Sequence, residues 1–77
     1  SRYTNIPVNS KSSGMVSLKV TDILGNVVLF EDREVQKGVS NLTVDAAKFE
    51  AGIYLYTVSD GRNSVTRRMV VSGKNEF

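Results

Sequence analysis

The sequence lacks the two residue types that carry much of side-chain chemistry, because its 77 residues include no cysteine and no histidine. Without cysteine there is neither a disulfide nor a thiolate metal site. Without histidine the usual general base and the commonest metal ligand are missing. A chain this short also offers no deep cleft in which paired carboxylates could act. We therefore predict that the protein is not an enzyme and has no metal and no cofactor.

A strong charge of one sign is also missing. Ten Lys and Arg face eight Asp and Glu, which leaves a net charge of +2. The cations are scattered except for Arg67 and Arg68, with Arg62 and Lys74 nearby. Nucleic-acid binding needs a continuous basic stripe with aromatic residues, so we expect no nucleic-acid partner. No apolar run exceeds four residues, whereas a membrane-spanning helix needs about 20.

The residues that are present predict a single all-β domain over residues 1–77. Apolar residues make up 40% of the chain, and their spacing alternates with period two rather than following a helix. Strands are predicted at residues 6–8, 16–21, 27–35, 41–45, 53–59 and 64–71. With turn residues about every ten positions, this pattern is typical of an antiparallel β-sandwich or small barrel. We expect an immunoglobulin-like sandwich of about six to seven strands.

Glycines mark the connections between these strands. Gly25-Asn26 predicts a tight turn, and Lys37-Gly38 and Asp60-Gly61 predict two more. Residues 46–51 predict a loop that crosses between sheets and ends at Gly52. The run of charges at residues 31–34 predicts that this half of the third strand projects beyond the core or forms a sheet edge.

Three clusters allow a functional and a plainer interpretation. Glu31, Asp32 and Glu34 are oxygen ligands of the kind calcium prefers, but a solvated edge strand explains them more simply. Tyr54 and Tyr56 share one strand face, where they either fill the core or form a carbohydrate-stacking platform. The adjacent arginines of the last strand point to opposite faces, so they cannot form one patch unaided.

Four segments, taken in order, resemble a known family. Residues 16–28 (VSLKVTDILGNVV) are similar to its "VxLxVyDxxGxxV" hairpin, and residues 42–45 (LTVD) to its short strand before the crossover. Residues 49–56 (FEAGIYLY) resemble its "LxxGxYxY" segment, and residues 65–71 (VTRRMVV) its closing "xxKKMVV" strand. The family is that of the type IX secretion C-terminal sorting domains (Por secretion system, type A) of Bacteroidetes.

The resemblance implies a role for particular residues. In the last strand it implies partner recognition by Arg67, Arg68, Met69, Val70 and Val71. It also implies a structural motif made of Asp22, Gly25, Gly52 and Tyr54. The tyrosine follows a sharp turn, where its hydroxyl is expected to bond to nearby backbone as in the tyrosine corner of other sandwiches.

The resemblance further implies a secretion signal rather than an activity. The domain would follow a covalently linked N-terminal cargo domain and direct it across the outer membrane. Its expected partners are the type IX translocon, an outer-membrane shuttle protein and a sortase-like transpeptidase that removes the domain. The cargo would pass through the periplasm and end at the cell surface or in the medium.

The ends of the domain depart from the family pattern. The family usually opens with a Pro-Asn-Pro segment that this chain lacks, so we expect the first strand to be truncated. Residues 72–77 extend past the family's closing strand and are expected to fray. A truncated sandwich exposes a strand edge, which predicts a dimer through edge pairing. Two other functions remain open, a non-catalytic accessory module and a carbohydrate-binding module of a bacterial hydrolase.

Overall fold

A computed structural model describes residues 3–71, and this part of the chain is all β. The strands are β1 (Tyr3–Ser10), β2 (Gly14–Asp22), β3 (Val27–Val35), β4 (Gly38–Asp45), β5 (Gly52–Ser59) and β6 (Ser64–Val71). The predicted strands are therefore confirmed, with β1, β2 and β4 longer than the alternation indicates. No helix long and apolar enough to cross a membrane occurs between residues 3 and 71.

The six strands form two antiparallel sheets, which confirms the predicted all-β sandwich. The larger sheet has the order β3-β2-β5-β6, and the smaller sheet pairs β1 with β4. Residues 46–51 carry the chain from the small sheet to the large one, as predicted. Within this crossover the Phe49 N–H donates to the Ala46 carbonyl over 3.0 Å. The segment is thus a turn and a loop rather than a helix.

The core lies between the sheets because apolar side chains alternate along each strand. On β2, Val16, Leu18 and Val20 are buried as predicted. The small sheet contributes Ile6, Leu42 and Val44 from the opposite side. The complete buried cluster consists of Ile6, Val16, Leu18, Val20, Val35, Leu42, Val44, Ala46, Phe49, Tyr54, Met69 and Val71. No polar or charged side chain of residues 3–71 is buried.

The charged half of β3 lies at an edge of the large sheet, as predicted. The Arg33 guanidinium forms an ion pair with Glu31 at 2.8 Å and also donates to the Thr43 carbonyl over 3.1 Å. It thereby joins the edge of the large sheet to β4 of the small one. Between residues 3 and 71 no cluster of acidic side chains has the geometry of a metal site. These acidic residues lie on an edge strand and are largely exposed to solvent.

Proline occupies the middle of β1 without breaking its pairing with β4. Pro7 lies opposite Asn41 in a continuous antiparallel ladder. Because proline has no N–H to donate, its nitrogen faces the unpaired side of an edge strand. The free edge of β1 therefore lacks a hydrogen-bond donor at its centre.

Candidate functional site

The last strand, β6, is an edge strand with one neighbour. It pairs with β5 over its whole length and has no partner on its other side among residues 3–71. Met69 and Val71 point inward and are buried, opposite Tyr54 and Gly52. These two side chains hold β6 against the core while one row of its backbone groups stays unpaired.

The remaining side chains of the predicted recognition segment are accessible. Arg67 and Arg68 are both exposed and lie on opposite faces of the sheet, as strand geometry requires. Val70 is 63% exposed and lies opposite Ile53. Within residues 3–71, neither arginine forms an ion pair. The five residues therefore divide into two anchors, Met69 and Val71, and three groups that a partner can reach.

The register brings the other motif residues to one end of the large sheet. Asp22 on β2 is paired with Tyr54 on β5, which is in turn paired with Met69 on β6. Gly52 is paired with Val71 two positions further along the same ladder. Segments that are far apart in sequence thus meet at the end of the sheet where β6 is anchored.

Asp22 organises the β2–β3 turn. Its Oδ1 accepts hydrogen bonds of 2.9 Å from the backbone N–H groups of Leu24 and Asn26, and its Oδ2 accepts one of 3.1 Å from the Asn26 amide. Gly25 supplies the left-handed conformation in this turn, with φ of +93°. The prediction of a tight turn at Gly25-Asn26 was too short, because residues 23–26 all lie between the strands. The carboxylate stabilises this longer loop.

Two turn carboxylates have lowered pKa values for the same reason. Hydrogen bonds from the Asn26 backbone and side chain, in that order of importance, lower the pKa of Asp22. The backbone N–H groups of Asn63 and then Arg62 lower the pKa of Asp60 in the β5–β6 turn. Both turns favour the ionised carboxylate because its oxygens accept these backbone bonds.

These bonds predict a loss of stability in acid. Each folded pKa lies below the unfolded value, so each carboxylate stabilises the fold above the unfolded pKa of about 4. That contribution is lost as pH falls through the folded pKa. We expect the urea midpoint of the wild type to fall below about pH 4, and the Asp22→Asn/Asp60→Asn variant to show a smaller fall. Equal falls in both proteins would contradict this origin.

Tyr54 closes the crossover between the sheets. Its hydroxyl donates to the Glu50 carbonyl over 2.6 Å, and its ring packs against Phe49 with centroids 5.3 Å apart. This is the backbone contact expected of a tyrosine corner. Gly52 precedes it with φ of +156°, a conformation that side-chain-bearing residues rarely adopt. The glycine and the tyrosine together turn the chain from the loop into β5.

The burial of Tyr54 excludes the flat tyrosine platform that carbohydrate stacking requires. Tyr54 is 7% exposed and belongs to the core, so the interpretation of both rings as a binding surface is wrong. Tyr56 is half-buried and packs against the same core. The plainer interpretation, in which the two rings fill the interior, is confirmed.

A groove beside β6 could not be found from the sequence. It has a volume of about 700 Å³ and runs between β1 and the inner face of the β5–β6 hairpin. Val8 and Pro7 line one wall, and Tyr56, Val65 and Arg67 line the other. It exists because a two-stranded sheet covers a four-stranded one incompletely. Strand number is visible in the sequence, but the division into sheets of two and four is not.

Comparison with known proteins adds one match. The sequence matches a family model described as "Secretion system C-terminal sorting domain" over residues 1–72. The match includes the β2–β3 hairpin, the crossover and the whole of β6. Neither the curated proteins nor the solved structures contain a match.

Proposed function

Because this chain belongs to the family of secretion system C-terminal sorting domains, we propose that the type IX translocon reads its last strand by pairing with the free edge of β6. The domain is a sorting signal for the protein attached to it, and that cargo is exported to the cell surface or released. Strand addition gives affinity through backbone hydrogen bonds and needs no deep pocket.

The contrast between β6 and the other strand edges carries this proposal. In residues 3–71 the two sheets leave edges at β1, β4, β3 and β6. Pro7 interrupts the edge of β1. On β4, the Thr43 carbonyl already accepts a hydrogen bond from the Arg33 guanidinium. The edge of β3 carries the run Glu31-Asp32-Arg33-Glu34, which is predominantly acidic. The β6 edge has an uninterrupted backbone and, in Arg67 and Arg68, an entirely basic pair of charges.

The basic pair also indicates what kind of strand can be added. A symmetric β6–β6 dimer places the arginines of one copy near those of the other, and like charges facing each other across strands are destabilising. This disfavours the edge-paired dimer that an exposed edge otherwise predicts. An added strand with carboxylates opposite Arg67 and Arg68 gains charge-assisted hydrogen bonds instead. We infer that the translocon presents an acidic strand or loop edge.

The family assignment also supports a proposal for the later steps of export. We propose that the folded domain is recognised in the periplasm, that an outer-membrane shuttle protein receives the cargo, and that a sortase-like transpeptidase then removes the domain. Residues Tyr3–Ser10 are paired with β4, and Ile6 is buried. Cleavage within β1 would require breaking this ladder, which favours a scissile bond on its N-terminal side.

The test is a charge reversal with a matched control. Residues 1–77 are fused to the C-terminus of a fluorescent cargo with a periplasmic signal, in a cell that has a type IX system. Arg68→Glu should reduce export at least about tenfold, because unfavourable charge pairing at an interface costs several kcal/mol. Lys19→Glu makes the same change in charge on central strand β2, whose two edges are both paired, and should leave export near the wild-type level.

Three outcomes of this experiment bear on the proposal. Retention of the wild-type fusion in the periplasm would refute the sorting function in this chain. Equal loss with Lys19→Glu and Arg68→Glu would show that net charge matters and the β6 edge does not. Mass spectrometry of the exported cargo tests the cleavage step, because the proposal places the cut on the N-terminal side of β1 and a cut within residues 3–10 would contradict it.

A further inference from the structure

The outer face of the large sheet, which points away from the core, is divided into two chemically different halves. Alternation places Lys19 and Thr21 of β2 on this face, because Val16, Leu18 and Val20 point inward. The ladders then place specific partners beside them. One row contains Thr66, Thr57, Lys19 and Phe30, and the next contains Arg68, Leu55, Thr21 and Val27. The end row pairs Val70 with Ile53.

The two end rows form an apolar surface. We call this surface the outer patch and define it by Val27, Ile53, Leu55 and Val70. All four side chains are exposed, with Ile53 at 46% and Val70 at 63%. The opposite half of the same face is more polar, since one row contains Ser64, Ser59, Ser17 and Asp32, and the exposed apolar side chains there, Met15 and Phe30, lie in separate rows. Single exposed apolar residues are ordinary, whereas contiguous ones mark interaction sites.

We propose that the outer patch docks an apolar surface of the secretion machinery that carries a carboxylate facing Arg68. This inference rests on the proposed function and names a second contact in addition to the β6 edge. The two contacts are continuous, because Arg68 and Val70 belong both to the edge strand and to the outer face. A partner strand paired with β6 would extend the large sheet and so lie directly beside the patch.

Charge complementarity identifies the partner. Arg68 is the one charged side chain in the two rows that contain the patch. Docking an apolar surface over these rows removes water from the guanidinium, and a charge removed from water requires a hydrogen-bonded partner. A carboxylate matches the fork of the guanidinium in two parallel bonds. If a second copy of this face docked there instead, it would bring its own Arg68 to the interface and no carboxylate to pair with it.

The test uses the same cargo fusion and replaces apolar side chains by threonine, which keeps the β-branched shape suited to a strand. Ile53→Thr/Val70→Thr should lower export at least about tenfold, since the two lost contacts need cost only about 1.4 kcal/mol together for a change of that size. Met15→Thr is the matched control, because Met15 is equally exposed on the same face at its polar end. It should be exported like the wild type.

Folding and self-association are measured on the same proteins. Thermal melting of the purified fusions, followed by circular dichroism, shows whether each variant is folded. If the double variant unfolds, Val70→Glu, which changes a single exposed position, replaces it in the export assay. Normal export of folded Ile53→Thr/Val70→Thr, with loss of export in Arg68→Glu, would overturn the outer patch and leave the proposed function standing. A concentration-dependent wild-type dimer that the double variant abolishes would assign the patch to a second copy and also overturn it.

Discussion

Replacing Leu18 with alanine should unfold most of the domain at room temperature. Leu18 is 0% exposed at the centre of β2, the strand that pairs with both β3 and β5. A buried Leu→Ala change costs about 2–5 kcal/mol, since both transfer energy and a cavity contribute. A core of this size supplies a net stability of only about 3–5 kcal/mol. The two quantities are comparable, so the variant should populate the unfolded state heavily.

The measurement is urea unfolding followed by far-ultraviolet circular dichroism. Leu24→Ala makes the same chemical change at a turn residue that is 83% exposed, and its midpoint should stay near that of the wild type. If the β6 edge is read as proposed, cargo fused to the Leu18→Ala domain should also remain in the periplasm, because that edge exists only in a folded sheet. Similar midpoints for the two variants would show that the sandwich core is not formed as described.

Replacing Tyr54 with alanine should destabilise the domain by about 3–5 kcal/mol, the cost of removing a buried aromatic ring. The ring fills the core next to Phe49, and its hydroxyl fixes the crossover through the Glu50 carbonyl. The loss therefore affects the interior and the connection between the sheets together. We expect the thermal melting curve of Tyr54→Ala to show no cooperative transition near the melting temperature of the wild type.

Two further variants separate the ring from its hydroxyl. Tyr54→Phe keeps the ring and removes one hydrogen bond, which costs about 0.5–1.5 kcal/mol. Tyr3→Ala removes a tyrosine that is 63% exposed and should leave the melting temperature nearly unchanged. If Tyr54→Phe proved as unstable as Tyr54→Ala, the hydroxyl bond and not the packing would be the main contribution of this residue.

Much of the fold could be predicted because the alternation along each strand is unusually regular. Val16, Leu18 and Val20 identify the inner face of β2, and the same spacing places Leu42 and Val44 on that of β4. The charges at residues 31–34 identify an edge, since four consecutive charged side chains cannot lie on a strand buried on both faces. These inferences are local, and local patterns determine which face of a strand is apolar.

Pairing between strands could not be predicted in the same way. No pattern in the sequence indicates that β1 crosses to β4, or that the Arg33 guanidinium reaches the Thr43 carbonyl. Such contacts depend on how the two sheets stack, which depends on the summed packing of both inner faces. The length of the β2–β3 turn could not be predicted either. Glycine and asparagine indicate that a turn is present, but they do not show that hydrogen bonds to the Asp22 carboxylate hold a loop of residues 23–26.

The candidate site could be predicted only in part, because local patterns identify its strand but not the neighbours of that strand. The family pattern identified β6 as the segment of interest, and alternation separated Arg67 from Arg68. The free edge of β6 and the outer patch emerge only after the order of strands in the large sheet is known. Ile53 and Leu55 have the composition of core residues, and only the burial of Tyr54 shows that they face outward.

The long-range ladders have a consequence for the time at which the signal becomes readable. Tyr3 pairs with Asp45, and Ser17 pairs with Ser59, so both sheets join segments that are distant along the chain. Topologies of this kind fold in about milliseconds to seconds, since loop-closure entropy must be overcome before the contacts form. The strand β6 is last in chain order and joins the sheet only through β5. The β6 edge belongs to a complete sheet only after these long-range ladders have closed, so a translocon that reads β6 as proposed would select domains that have finished folding.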